Sequence, residues 1–230
     1  MSSTQIKYIA LVSMVLDHIG ILFWPDCIFF RIIGRLAFPL FAFSFSEGLK
    51  HNVSQAQREH HMKNLLVLAI VSEIPFDLFL SQKPVYPFSQ NVILTFLLAE
   101  MGIFFYESKK EGYGKVILFI PAILASLIRA DFGIIGVLVI YCFYFFRNKQ
   151  QTIAVILLWL NSIGVVPLSL ANALYLLIIT CIGICIVQHY NGSKGGGQNI
   201  VLKKAVHYSY PSTLLLLWGL SFLKNIMFYF

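Results

Sequence analysis

Two ionisable residues, Asp17 and His18, stand side by side inside an apolar stretch that runs from about residue 5 to residue 23. About 20 mostly apolar residues are enough to span a bilayer, and ionisable side chains within such a span are rare and usually functional. Because histidine exchanges a proton near neutral pH, a histidine inside a span indicates catalysis or proton movement. The rest of the sequence must supply the elements that position this pair.

The composition is that of a membrane protein. Of 230 residues, 58% are hydrophobic and only 12% are charged, and the mean hydropathy is +0.79. Soluble domains carry about 25% charged residues. The net charge of +7 is spread between apolar runs, which favours membrane topology over nucleic-acid binding as its explanation. The four cysteines are scattered and predict neither a disulfide nor a metal site.

The apolar runs predict an all-α polytopic integral membrane protein with about nine transmembrane helices. We place the spans at 5–23, 31–48, 62–81, 91–107, 115–128, 132–146, 152–167, 171–188 and 211–228, with a tight turn or a re-entrant break at 129–131. A cytoplasmic N-terminus puts 12 of the 17 Lys and Arg residues on the cytoplasmic side, as the positive-inside rule favours. We expect one transmembrane domain over 1–230 and a flexible Gly/Lys-containing cytoplasmic loop over 189–210.

The rise per helical residue predicts that polar side chains from four spans share one layer of the membrane. These residues are Asp17, His18, Arg35, Glu73, Asp77, Asn91 and Thr95. Mutual neutralisation is the structural alternative, with Arg35 pairing with Asp17 or Asp77. We interpret the set as a functional site, because a fold gains little stability from burying so many charges in lipid.

Other polar residues are less decisive. Glu100 is predicted to lie deep in span four without an obvious partner. His60 and His61 fall in an amphipathic cytoplasmic stretch, where we expect them to be solvated. Arg129 and Asp131 are expected to form a local pair at a turn.

Four successive motifs in the first hundred residues resemble the TraX family. They are Lys7-Tyr-Ile-Ala-Leu through Met14-Val-Leu-Asp-His-Ile-Gly20, Arg31-Ile-Ile-Gly-Arg-Leu-Ala-Phe-Pro-Leu-Phe-Ala-Phe43, Glu47-Gly48 with His51, and Ser72-Glu-Ile-Pro-Phe-Asp77 followed by Asn91. The family is similar to polytopic acetyltransferases, and its founding activity is acetylation of the N-terminus of conjugative pilin. The ten residues between Lys7 and His18 are similar to an element of the type-three acyltransferases, and the run after Pro39 is similar to the heparan acetyltransferases. At Thr213 the sequence departs from the TraX family pattern, in which that position is a histidine.

The resemblance implies a membrane-embedded acetyltransferase that uses cytoplasmic acetyl-CoA and needs no metal. The acceptor is expected to be an amine or hydroxyl of a membrane-associated or extracytoplasmic molecule, such as a pilin-like N-terminus or a cell-surface glycan. The expected location is the bacterial cytoplasmic membrane. The expected catalytic residues are His18 as general base, Asp17 or Asp77 orienting it, and Arg35 or Asn91 stabilising the oxyanion. The expected cofactor-binding residues are Lys7, Arg31, Glu47, His51 and Lys63, with Lys50 as a further phosphate contact.

Two alternatives remain open at this point. A proton-coupled transporter would use His18, Glu73, Asp77 and Glu100 as a relay, although no internal repeat is evident. A non-catalytic membrane scaffold would keep the same residues as buried pairs. Detection of acyl transfer by the protein would distinguish an enzyme from both of these alternatives.

Overall fold

The computed structural model describes residues 1–51, 54–108, 114–146, 170–193 and 200–228. Over these ranges the chain is helical, and an isolated bridge between Gln90 and Ala130 is its only β pairing. The helices are α1 Ser3–Phe23, α2 Ile28–Gly34, α3 Ala37–His51, α4 Gln55–Ser81, α5 Val92–Ser108, α6 Gly114–Leu127, α7 Gly133–Phe145, α8 Leu170–Gln188 and α9 Ile200–Phe228. The predicted span at 152–167 lies outside the described residues.

The helices form two compact units. The first unit comprises the described residues of Met1–Ser44, Phe145–Ser209 and Gly219–Phe230. The second comprises those of Phe45–Tyr144 and Tyr210–Trp218. A single domain over 1–230 stays a prediction, and the two units are treated separately below.

Three helical stretches are long and apolar enough to cross a membrane. They are Ser3–Phe23, the pair α2 and α3 taken together as Ile28–His51, and Gln55–Ser81. Shorter apolar helices occupy Val116–Leu127, Gly133–Phe145 and Ala173–Gln188. The all-α class predicted from the sequence is therefore confirmed for the described residues, and the helices suit a membrane protein. The count of nine spans and the cytoplasmic N-terminus stay predictions.

Two helices begin with the same capping arrangement. Before α1, the Ser2 hydroxyl accepts the Gln5 N–H at 3.3 Å and the Gln5 side chain accepts the Ser2 N–H at 2.8 Å. Before α4, Ser54 and Gln57 repeat both bonds. A serine followed three residues later by glutamine satisfies two backbone donors that a helix start leaves open. These caps explain why α1 and α4 begin where they do.

The second predicted span, 31–48, is divided in the structure. Helix α2 ends at Gly34 and α3 begins at Ala37, with Arg35 and Leu36 donating tightened bonds to residues three positions earlier. Pro39 explains the break, because it has no N–H to donate to the carbonyl of residue 35 and its ring crowds that carbonyl. Proline is tolerated in a first helical turn, so α3 restarts just before it.

The last helix starts earlier than the sequence predicts. We expected a loop over 189–210, but α9 already begins at Ile200. Residues 194–199 lie outside the described part of the chain. Pro211 lies inside α9 rather than at its start, so proline did not mark the helix boundary here.

The connection between α6 and α7 is a tight turn. Arg129, Phe132 and Gly133 have positive φ angles of 55°, 62° and 48°. Gln90 donates its N–H to the Arg129 carbonyl at 3.0 Å and accepts the Asp131 N–H at 2.9 Å. The turn is thereby fixed against the residues that precede α5.

Helices α1 and α2 approach each other closely at two glycines. A Cβ added to Gly20 would lie 2.3 Å from Cβ of Phe30, and one added to Gly34 would lie 2.4 Å from Cγ of Asp17. Such distances are well inside van der Waals contact. The absence of a side chain at these positions therefore allows the α1–α2 packing.

Gly20→Ala is expected to destabilise the protein by about 1–3 kcal/mol, because the new methyl group overlaps a side chain at its backbone attachment. Gly48→Ala is the matched control, since nothing lies within 4 Å of a Cβ at that helical position. The measurement is thermal unfolding of both variants in detergent. Equal melting temperatures would contradict the close α1–α2 packing.

Candidate functional site

In the first unit, Asp17 on α1 is bound by Arg31 on α2. One guanidinium nitrogen of Arg31, Nη1, donates to Oδ1 of Asp17 at 2.9 Å and to Oδ2 at 3.0 Å. Both side chains are largely buried. Arg35 also interacts electrostatically with Asp17, but the hydrogen-bonded partner is Arg31. The structural alternative drawn from the sequence had Arg35 pairing with Asp17 or Asp77, whereas the hydrogen-bonded partner of Asp17 lies one helical turn earlier.

The Asp17–Arg31 pair limits which groups are available to orient the His18 ring. Neighbouring side chains on a helix do not face each other, and both oxygens of Asp17 already accept hydrogen bonds from Arg31. The geometry therefore argues against Asp17 as the group that orients the His18 ring. Arg31 interacts electrostatically with His18 as well. His18 itself is half-buried on α1.

In the second unit, Asn91 joins the start of α5 to α4. Its Nδ2 donates to the Ala69 carbonyl at 2.8 Å and to Oε2 of Glu73, and its backbone N–H donates to the same Oε2 at 3.3 Å. Its Oδ1 accepts the Ile93 N–H at 2.9 Å and caps α5. Every polar group of this fully buried amide is engaged in structure. Asn91 therefore has no N–H left for the oxyanion role that we expected.

Asp77 lies one turn further along α4 and is 3% exposed. Its Oδ2 accepts the Tyr86 N–H at 2.8 Å, which fixes the chain after α4. Among the described residues, Oδ1 of Asp77 and Oε1 of Glu73 are buried and accept no hydrogen bond. Each carboxylate thus accepts hydrogen bonds through one oxygen, and its other oxygen has no hydrogen-bond partner among the described residues.

The Tyr210-Pro211 segment of α9 joins the same region. The Tyr210 hydroxyl hydrogen-bonds with the backbone of Val92 and lies near Glu73 and Asp131. The Thr95 hydroxyl donates to the Asp131 carbonyl. This part of the second unit therefore gathers carboxylates, a phenol and an amide around the start of α5.

Glu100 has a partner that we did not predict. Its carboxylate is 0% exposed on α5, and Nδ1 of His61 lies 2.7 Å from its Oε2. The His61 side chain is 36% exposed, and its ring lies 5.9 Å from that of Phe45. The expectation that His61 is merely solvated was wrong, whereas His60 is exposed as expected.

A second ion-pair network lies one turn away on α4. The buried Arg58 pairs through Nη1 with Oε2 of Glu107 at 2.6 Å, and its Nη2 donates to the Tyr144 hydroxyl at 2.8 Å. Lys50 lies 3.5 Å from Oε1 of the buried Glu47. These cations are therefore neutralised by acids of the same unit.

The five residues expected to bind the cofactor differ in environment. His51 and Lys63 are exposed, Lys7 and Arg31 are half-buried, and Glu47 is buried beside Lys50. Arg31 lies at the level of Asp17, about 15 Å along α1 from Lys7 at 1.5 Å per residue. One phosphate group cannot reach both. Within the described residues, no group of three or more His, Cys, Asp or Glu side chains is arranged to hold a metal.

The predicted four-span layer draws on both units. Asp17, His18 and Arg35 belong to the first unit, and Glu73, Asp77, Asn91 and Thr95 belong to the second. The structure brings Glu73 and Asn91 together within the second unit. The convergence of all seven side chains stays a prediction.

Comparison with known proteins identifies the family. The family model described as "TraX protein" matches residues 2–221. The chain belongs to the TraX family. The TraX match covers α1 through most of α9, and so includes both polar regions described above.

Three relatives show how far the similarity extends. A probable fimbrial assembly protein FimC, serogroup H1, of Dichelobacter nodosus is 30% identical over 172 residues, which are 68% of this chain and 68% of that protein. Protein TraX of Escherichia coli is 26% identical over 73% of this chain and 66% of its own length. An uncharacterised protein of Rickettsia prowazekii is 24% identical over 64% of this chain and 56% of its own length. The chain thus spans between 56% and 68% of these proteins. No solved structure matches it significantly.

Replacing both members of the Asp17–Arg31 pair is expected to cost less stability than the two single replacements add up to. Arg31→Ala leaves a largely buried carboxylate without its donor, and Asp17→Asn leaves the guanidinium without its anion. A coupling energy of about 1–3 kcal/mol is expected from a double-mutant cycle in detergent. Strict additivity would show that the interaction between the two side chains contributes nothing to the stability of the protein.

Asn91→Ala is expected to destabilise the protein by about 2 kcal/mol or more, because it removes a helix cap and leaves the Glu73 carboxylate and the Ala69 carbonyl without their donor. Gln90→Ala is the control, because its side chain makes only a 3.4 Å contact with the Pro87 carbonyl. Thermal unfolding measures both. Similar stability of the two variants would contradict the assigned role of Asn91.

Proposed function

We propose that the chain is a membrane-embedded acetyltransferase of the bacterial cytoplasmic membrane. It would move an acetyl group from cytoplasmic acetyl-CoA to an amine or hydroxyl of a membrane-associated or extracytoplasmic acceptor. The observation that carries the proposal is the TraX family match over residues 2–221. It is supported by the position of His18 in the apolar helix α1, next in sequence to Asp17 of the Asp17–Arg31 pair. The relative named as a fimbrial assembly protein supports a pilin-like acceptor, and a cell-surface glycan is the other candidate.

In this proposal His18 is the general base. It takes the proton from the acceptor nitrogen or oxygen as that atom attacks the thioester carbonyl, and the carbon–sulfur bond then breaks to release CoA. Arg31 keeps Asp17 engaged, so the helix α1 carries its buried acid without placing a free anion in lipid. Arg35 is the proposed oxyanion partner on the first unit, because Asn91 is fully committed to structure.

The phosphate groups of the donor are proposed to contact basic side chains, each of which is a separate candidate. Lys63 is exposed on α4, His51 is exposed at the end of α3, and Lys7 is half-buried on α1. Arginine and lysine are the usual partners of phosphate groups. Lys50 and Glu47 are paired with each other, which makes them weaker candidates for phosphate contact.

The test is acetyl transfer from labelled acetyl-CoA to a pooled membrane and periplasmic extract by purified protein. Wild type is expected to label an acceptor, and His18→Ala is expected to lower the rate by about 100-fold or more because the base is lost. His60→Ala is the control, since that histidine is exposed on α4.

Each other result has a defined meaning. Wild type that neither labels an acceptor nor binds acetyl-CoA overturns the proposal, and proton uptake under those conditions would favour the transporter. Labelling that is unchanged in folded His18→Ala would exclude His18 as the base.

A further inference from the structure

Arg31 holds Asp17 with only part of its guanidinium group. Both hydrogen bonds to the carboxylate, at 2.9 and 3.0 Å, come from the single nitrogen Nη1. A guanidinium group also carries N–H donors on Nη2 and Nε. Among the described residues, Arg31 makes no hydrogen bond through either of these nitrogens. The Arg31 side chain is 27% exposed, so these donors can reach a ligand that enters the first unit.

The charges around Asp17 favour a ligand that carries or develops negative charge. Arg35 also acts on the Asp17 carboxylate, so two guanidinium groups share one acid. The sequence ranges of the first unit hold only one further acid, Asp26, which is exposed in the turn between α1 and α2. Pairing with one arginine already neutralises the carboxylate, and the second arginine leaves positive charge over. Negative charge on a ligand is stabilised strongly at such a place, because little water screens the interaction.

The packing of α2 on α1 fixes where the donors of Arg31 lie. A Cβ at Gly34 would lie 2.4 Å from Cγ of Asp17, so the backbone of α2 contacts that carboxylate closely. Arg31 lies one turn earlier on α2 and interacts electrostatically with His18, the residue after Asp17. All four residues belong to the first unit. Donors that are fixed before the reaction begins need no reorganisation in the transition state.

We propose that Arg31 is a catalytic residue of the acetyl transfer and donates from Nη2 or Nε to the thioester carbonyl oxygen. The inference rests on the proposed function. As the acceptor atom attacks the carbonyl carbon, the carbonyl π electrons move to the oxygen, where Arg31 and Arg35 stabilise the negative charge. The electrons return when the carbon–sulfur bond breaks. His18 passes the acceptor proton to the departing thiolate, and Arg31 keeps its own protons. The products are the acetylated acceptor and CoA thiol.

A change at Arg31 in a chain that no longer carries the Asp17 charge tests this role. Asp17→Asn removes the anion that needs neutralising, and Arg31→Gln is then added to it. The double variant is expected to transfer acetyl from labelled acetyl-CoA about 100-fold more slowly than Asp17→Asn, with the same extract as acceptor and the full chain in detergent. The loss is expected in kcat with little change in the KM for acetyl-CoA, because the oxyanion exists only in the transition state.

Two controls separate this role from general effects of charge and from phosphate binding. Arg129→Gln, added to Asp17→Asn, removes an exposed arginine of the α6–α7 turn and is expected to keep the rate of its parent. Acetyl-dephospho-CoA lacks the 3′-phosphate of acetyl-CoA. The loss caused by Arg31→Gln is expected to be the same with both donors, whereas a contact with that phosphate would make the loss disappear with acetyl-dephospho-CoA.

Arg31→Lys in the wild-type background is a second variant that does not depend on Asp17→Asn. Lysine keeps a cation for Asp17 but has no second nitrogen to donate to the carbonyl oxygen. A fall in kcat of about 100-fold at an unchanged melting temperature is expected. A kcat equal to that of wild type would overturn the catalytic role of Arg31 even where Asp17→Asn fails to fold.

The outcomes are distinguishable from failure of the proposed function. If wild type transfers acetyl to no acceptor, the acetyltransferase proposal fails. If wild type is active and Arg31→Gln leaves the kcat of Asp17→Asn unchanged, or only raises the KM, the catalytic role of Arg31 is overturned while the acetyltransferase proposal stands. Thermal unfolding of each variant shows whether a loss of rate reflects a loss of fold.

Discussion

A carboxylate inside an apolar helix needs a partner that donates to it, and the polar contacts of the described structure follow from this constraint. In the absence of nearby water, an unpaired buried carboxylate is too costly to keep. Asp17 is met by Arg31, Glu47 by Lys50, Glu73 by Asn91, Asp77 by the Tyr86 N–H and Glu100 by His61. The exposed Glu107 in turn pairs with the buried Arg58. These contacts join α1 to α2 and α4 to α5. The polar pairs therefore determine which apolar surfaces lie together.

The sequence predicts the helices well and their partners poorly, for a physical reason. Apolar length alone identifies α1, α4 and α5, because only a helix satisfies its backbone across such a stretch. Which side chains meet depends on how each helix is rotated about its axis. Arg31 and Arg35 lie one turn apart on the same side of the chain, and only the α1–α2 packing selects Arg31 for Asp17. The break between α2 and α3 had a readable signal in Pro39.

The His61–Glu100 contact shows what further information was needed. Residues 82–90 fold back along α4, so that Asn91 contacts Ala69 and Glu73 rather than the end of α4. Glu100 lies nine residues after Asn91 along α5, and His61 lies about the same number of residues before Ala69 along α4. Two antiparallel helices of equal rise must place these residues at one level. The pair follows from one known contact, but nothing in the sequence reveals how far the connecting segment folds back.

The pairing pattern also separates two kinds of basic residue at the ends of α3 and α4. Arg58 and Lys50 are each bound to an acid, and a phosphate group that recruited Arg58 or Lys50 would have to compete with Glu107 or with the buried Glu47. Lys63 is exposed and carries no such penalty. Binding of an anionic donor therefore costs the least free energy at the exposed cations. The buried cations serve the packing of α3, α4 and α7, and a charge network in this part of the chain is not by itself a binding site.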